Sequence, residues 1–137
     1  MRVTILSVGR LRPPFADDVA HYAKLLGRYC ALELVELRDE ERLARRVPVR
    51  AHLVALDAGG RTYTSEAFAQ WLEGRRQSGC ELCFVLGGAF GHAPGLPAPT
   101  DTLSFGPATL PHQLARVVLL EQLYRAHKLL LGEPYSH

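Results

Sequence analysis

No apolar stretch in this 137-residue chain approaches the roughly 20 residues that a membrane span needs. Cysteine is scarce, and three is an odd number, which argues against a disulfide framework and for a reducing compartment. No H-E-x-x-H or similar ligand spacing occurs among the six histidines, so no metal site is expected. No G-x-S-x-G elbow occurs, which removes support for α/β-hydrolase chemistry. The N-terminal apolar run is too short for a signal segment and has no small-residue cleavage site. A soluble, cytoplasmic protein is expected. Internal repeats, low-complexity tracts and linkers are also missing, so residues 1–137 are expected to form a single domain.

Strong net charge is missing too. The balance is +2 with a sequence pI of about 8.6, which permits an RNA or phosphate partner without demanding one. The charge is uneven: residues 1–50 carry ten Lys/Arg against seven Asp/Glu, and residues 51–137 carry six against seven. Arginine outnumbers lysine fourteen to two. Arginine suits bidentate phosphate contacts, and a coding-composition bias would produce the same ratio.

What is present is a regular alternation. The segments 2–8, 31–37, 51–57, 81–86 and 102–105 are apolar or alternating and read as strands. The third is expected to end at a Gly59-Gly60 turn. Segments 15–29, 64–78 and 110–131 carry apolar residues at helical spacing, and 38–50 can hold a short helix. Thr64 or Ser65 opens the second long helix, Pro111 the last, and Gly132 stops it. This alternation predicts an α/β domain with a largely parallel sheet covered on both faces. Ligands of such sheets bind outside the carboxyl ends of the strands, which directs attention to loops 87–91 and 106–109.

Several constellations carry chemistry. Gly87-Gly88-x-x-Gly91 follows the most apolar strand and suits close backbone approach to a ligand; a tight turn without a ligand fits equally. It is neither a P-loop nor a complete dinucleotide fingerprint. Cys80 and Cys83 sit at the start of a strand and read as buried thiols, not a redox pair. His112, beside the 106–109 loop, can donate to a ligand or cap the last helix, and capping is the commoner role. Around Val117-Val118-Leu119-Leu120 that helix is apolar on all sides, which implies burial on all sides and predicts a C2 homodimer through it. Glu121 and Arg125 are spaced to pair. Arg10, Arg12, Arg42, Arg45, Arg46 and Arg50 form either a phosphate-binding surface or a solvated face.

The segment from Thr109 to Lys128, followed by Gly132-Glu-Pro-Tyr135, closely resembles the C-terminal signature of the RlmH (YbeA-like) family of SPOUT-class methyltransferases. The opening Ile5–Leu11 and the run Phe84–Gly91 match the same family in order, so the resemblance spans nearly the whole chain. It implies a trefoil-knotted α/β fold, with the knot in roughly 81–137, an obligate homodimer and S-adenosylmethionine as cofactor. It further implies methylation of N3 of a pseudouridine in large-subunit (23S) ribosomal RNA within the assembled ribosome. Carried over, the cofactor would be held by Leu56, Gly87, Phe105, Gly106, Pro107, Ala108, Thr109 and Leu110. Arg10 and Arg12 match basic positions of the first loop and would touch RNA. The family ends in a Tyr-His-basic tail beside the facing subunit's cofactor. Here Tyr135 matches, Ser136 replaces the His, and His137 stands where Arg or Lys is usual, so Tyr135 and His137 are the catalytic candidates. The charged segment between the second and third strands is also shorter than in the family. Two alternatives stay open: a ribosome- or RNA-binding protein that has lost catalysis through its altered tail, and a small-molecule S-adenosylmethionine-dependent enzyme.

Overall fold

The computed structural model describes residues 1–86 and 95–135. Gly87, Gly88, Gly91, His92, Ser136 and His137 lie outside the described residues. The order is β1 (Arg2–Val8), α1 (Phe15–Leu26), β2 (Ala31–Leu37), α2 (Glu40–Arg46), β3 (His52–Thr62), α3 (Ser65–Gln77), β4 (Leu82–Leu86), β5 (Asp101–Ser104) and α4 (His112–Leu130). The five strands form one sheet in the order β2-β1-β4-β3-β5, and all four pairings are parallel. β4 is central and buried along its length, while β2 at the edge alternates between partly covered and exposed residues. That matches the unbroken apolar run of one and the alternating pattern of the other.

Strand periodicity sends successive side chains to opposite faces. Val3, Ile5, Val54, Leu82, Phe84 and Leu86 face a core completed by Leu26, Leu72, Leu119, Leu120 and Leu123 from α1, α3 and α4. Leu6, Leu53, Ala55, Cys83 and Val85 face the other side, where Leu43 of α2 is the buried helical contribution. Both faces are covered, but unequally. The short 38–50 segment leaves a two-turn helix where the opposite face has three longer ones.

Local chemistry sets the ends. Thr64 Oγ1 accepts the Ala67 N–H at 3.0 Å and opens α3. Asp39 Oδ1 accepts the Arg42 N–H at 2.8 Å and opens α2. Gly132, at φ +66, stops α4 while the Glu133 N–H reaches back to the Lys128 carbonyl at 2.9 Å. The expected Gly59-Gly60 turn is instead part of β3, which runs on to Thr62. Leu56 and Arg61 both stand opposite Leu103, so residues 57–60 bulge out of the ladder. Glycine is required there: a Cβ on Gly60 would sit 3.0 Å from the Asp57 carbonyl oxygen and from backbone atoms of Thr102 and Leu103. α1 also ends at Leu26, three residues short of the expected boundary. Among the described residues, no helix is long and apolar enough to cross a membrane.

Candidate cofactor and RNA site

The carboxyl ends of β3, β4 and β5 open into a cleft of about 260 Å³. Its walls are Leu56, Leu86, Leu103, Leu110 and Ala115, and its floor and rim come from the chain after β5. The bulge in β3 supplies Asp57 and Ala58 to one side, and the start of α4 supplies His112 to the other. Of the residues singled out in sequence, Leu56, Phe105, Gly106, Ala108, Thr109 and Leu110 line this cleft. Pro107 is exposed in the same loop and does not line it. Leu86, the residue before Gly87, does.

Ser104 was not singled out in sequence, and it organises this loop. It is 4% exposed. Its Oγ accepts the Gly106 N–H at 3.1 Å and lies 3.0 Å from the carbonyls of both Gly106 and Ala58, to which its single proton can be donated in turn. One hydroxyl thereby ties the loop after β5 to the bulge of β3. Gly106 turns the chain at φ +119, where a side chain would be strained.

The start of α4 differs from the sequence expectation. No side chain caps it, and the His112 ring lies at the mouth of the cleft with Nδ1 3.5 Å from Nη2 of Arg116. Arg116 is 4% exposed. Nη2 donates to the carbonyls of Val8 (2.7 Å) and Gly9 (3.0 Å), and Nη1 approaches Glu36 Oε2 at 3.3 Å. Burial lowers its pKa, against the Glu36 carboxylate that raises it. Arg10 and Arg12 are exposed on the loop that follows. Nothing in the sequence around Arg116 signals this role, because the carbonyls that it holds are more than 100 positions away.

Tyr135 lies elsewhere. It packs on the outer side of α4, where its hydroxyl donates to Glu121 Oε2 at 2.7 Å and Arg125 lies 4.2 Å over its ring. Arg125 also donates to the same Glu121 oxygen at 2.7 Å, as the i,i+4 spacing predicts. Burial and the Glu121 carboxylate both push the Tyr135 phenol up from its ordinary value. The recess that Tyr135 lines with His21, Tyr22, Leu25, Tyr124 and Pro134 shares no lining residue with the cleft. α4 is not buried on all sides in the single chain. Arg116, Leu119, Leu120, Leu123, Ala126 and His127 are buried, while Val118, Glu121, Gln122 and Arg125 are only partly covered. Cys30 and Cys83 are buried thiols, and burial pushes the Cys83 thiol up to about 12.

The family described as predicted SPOUT methyltransferases matches residues 1–137. A ribosomal RNA large subunit methyltransferase H from Rubrobacter xylanophilus is 47% identical, over 98% of this chain and 97% of its own. The protein of the same name from Gemmatimonas aurantiaca is 40% identical over 98% and 99%, and that from Pelobacter propionicus 39% over the whole of both. Among solved structures, a putative methyltransferase from Legionella pneumophila, determined with bound cofactor SAM, aligns with a TM-score of 0.52 at 13% identity. The alignment covers 92% of this chain and 66% of that one, and it speaks to the fold alone. Agreement along the full length of relatives this similar leaves one assignment: the chain belongs to the SPOUT methyltransferases, in the branch of the ribosomal RNA large subunit methyltransferases H.

Proposed function

We propose that this protein transfers a methyl group from S-adenosylmethionine to N3 of a pseudouridine in large-subunit ribosomal RNA, acting on the assembled ribosome in the cytoplasm. The carrying observation is the cleft: six of the eight residues that the resemblance assigns to the cofactor line it. The residues present fit that group. Leucine side chains offer apolar walls for an adenine ring, and the main chain of 105–110 offers donors and acceptors at its edge. When bound, the cofactor supplies an electrophilic methyl group on a sulfonium. The task left to the protein is alignment of acceptor and donor, a proximity effect. Leu56 and Leu110 would supply the apolar walls, Ser104 and Gly106 set the loop, and Arg10 and Arg12 would engage RNA phosphates.

The imide proton of the acceptor must also leave. Tyr135 is unsuited to accept it, since its phenol is held protonated against Glu121; its part is to anchor the tail. His137 is the candidate base. In this reading Tyr135 and His137 serve the cleft of the facing subunit, in a homodimer formed through the outer face of α4. The separation of Tyr135 from the cleft of its own chain supports that reading. A trefoil knot in roughly 81–137 belongs to the same proposal. It is supported by the strand order, in which β5 lies beyond β3 from β4 with all pairings parallel. The single-domain reading of 1–137 stands with it.

The test is transfer of labelled methyl to ribosomes lacking this modification, with Tyr135→Phe and His137→Ala alongside. Incorporation at one pseudouridine is expected, with H137A slowed by at least about a hundredfold, the lower end for a lost general base. An unchanged H137A rate would remove that residue from the chemistry. Ribosome binding without incorporation would establish the non-catalytic alternative, which full-length similarity to named methyltransferases does not favour.

A further inference from the structure

The loop carrying Arg10 and Arg12 joins β1 to α1 in six residues, 9–14, and its backbone is held at several points. Gln113, one residue into α4, meets it with both ends of its amide. Oε1 accepts the Arg12 N–H at 2.9 Å, and Nε2 donates to the Arg10 carbonyl at 3.2 Å. The Leu11 N–H between them donates to Glu36 Oε2, the same oxygen that Arg116 approaches. Arg116 then fixes the carbonyls of Val8 and Gly9. Five consecutive residues, 8–12, are thereby bound through their main chain, while the Arg10 and Arg12 side chains stay exposed. Three of the four holding side chains or neighbours, His112, Gln113 and Arg116, belong to the helix whose start walls the cofactor cleft.

Resting on the proposed RNA methylation, we propose that Gln113 and Arg116 are positioning residues. They lock the Val8–Arg12 backbone to the wall of the cofactor cleft, so that Arg10 and Arg12 meet RNA phosphates at a fixed offset from the methyl donor. The physical content is preorganisation. A free loop would reach the same phosphates after losing its own conformational freedom, whereas a pre-bonded loop has lost it on folding. Glu36 completes the arrangement by neutralising the buried guanidinium and taking the Leu11 N–H, which leaves the outward arginines as the cations directed to a ligand.

Gln113→Ala is the sharp variant, since Gln113 is only partly covered and its loss leaves the core intact. Arg116→Lys is the conservative companion: it keeps a cation and removes the fork. Ribosome affinity would be followed across a salt series, with S-adenosylmethionine affinity measured separately without RNA. Q113A is expected to weaken ribosome binding about five- to tenfold, the loss of one or two modest hydrogen bonds. The slope of log affinity against log salt should stay unchanged, because both phosphate-binding side chains remain. Arg10→Ala with Arg12→Ala is expected to reduce that slope by about 0.7–0.9 per lost contact. Adding Q113A to the double arginine variant should then cost less than twofold, because contacting groups in one network are not additive.

Cofactor affinity should hold within about twofold in Q113A and move further in R116K, because the fork that this variant loses also reaches His112 at the mouth of the cleft. Full additivity of Q113A with the arginine variant would overturn the proposal, as would Q113A binding like the unaltered chain. An unchanged slope in the arginine variant would overturn it too, by showing that the locked loop carries no phosphate contact. Methyl transfer is a separate readout. Its absence in the unaltered chain, with these binding effects intact, would count against the proposed activity and not against the positioning.

Discussion

At the residue scale, two side chains do more than their type announces. Ser104 is a buried hydroxyl that joins the loop after β5 to the bulge of β3. Ser104→Ala would leave the Gly106 N–H without its partner. S-adenosylmethionine affinity is expected to fall about 5- to 30-fold, matching about 1–2 kcal/mol. Calorimetric titration checks this, and an affinity within twofold of the unaltered chain would show that the loop keeps its shape unaided.

Glu121 is the second. Burial alone would raise its carboxyl, but hydrogen bonds from Arg125, Tyr135 and Gln122 outweigh burial and hold it below its ordinary value of 4.5. Because folding depresses this group, its stabilisation is complete above the unfolded value and is lost as pH falls through the lower folded one. Glu121→Gln should destabilise the fold by about 1–3 kcal/mol at neutral pH, with the deficit shrinking below about pH 4. Urea unfolding at a series of pH values measures it. A deficit that stayed constant down to pH 3 would assign the effect to packing instead of charge.

At the element scale, α4 carries several tasks on different faces. Its buried stripe, Leu119, Leu120, Leu123 and Ala126, packs against the sheet and α1 and α3. Its first two turns hold the 8–12 loop and wall the cleft. Its outer face carries Val118, Gln122 and the Glu121–Arg125–Tyr135 group, and Val118 with Gln122 lines a second recess that shares Leu103–Gly106 with the cleft. The proposed homodimer covers this outer face. Val118→Glu is therefore expected to yield monomers by light scattering with the far-UV spectrum unchanged, because Val118 stands outside the buried stripe. Persistence of a dimer would move the interface elsewhere.

At the scale of the whole molecule, most of the elements are legible in the sequence. The apolar runs of β1 and β4, the alternation of β2, the Thr64 cap and the Gly132 stop are each local statements of chemistry, and local chemistry is what a linear reading sees. The β3 bulge was not legible as such. Gly59-Gly60 is a turn signal by composition, and only the presence of β5 alongside keeps the strand paired on both sides of it. The partners of Ser104, Gln113 and Arg116 were hidden for a related reason. Each bonds to main-chain groups, which every residue possesses, so no side-chain pattern marks the destination.

The sequence alone determined the alternating α/β class, the parallel sheet, the family resemblance and the stretch from Phe105 to Leu110 as the place to look. These follow from periodicity, capping and motif, all written within a few residues of one another. The tertiary structure alone decided how the two faces are shared, three helices against one, and that the cleft is closed by a bulge of β3. It decided that Tyr135 lines a recess other than the cleft, and that the first loop is bolted to the last helix across some hundred residues of sequence. Such contacts depend on where the sheet order β2-β1-β4-β3-β5 brings the strand ends, and that order is a property of the folded chain as a whole.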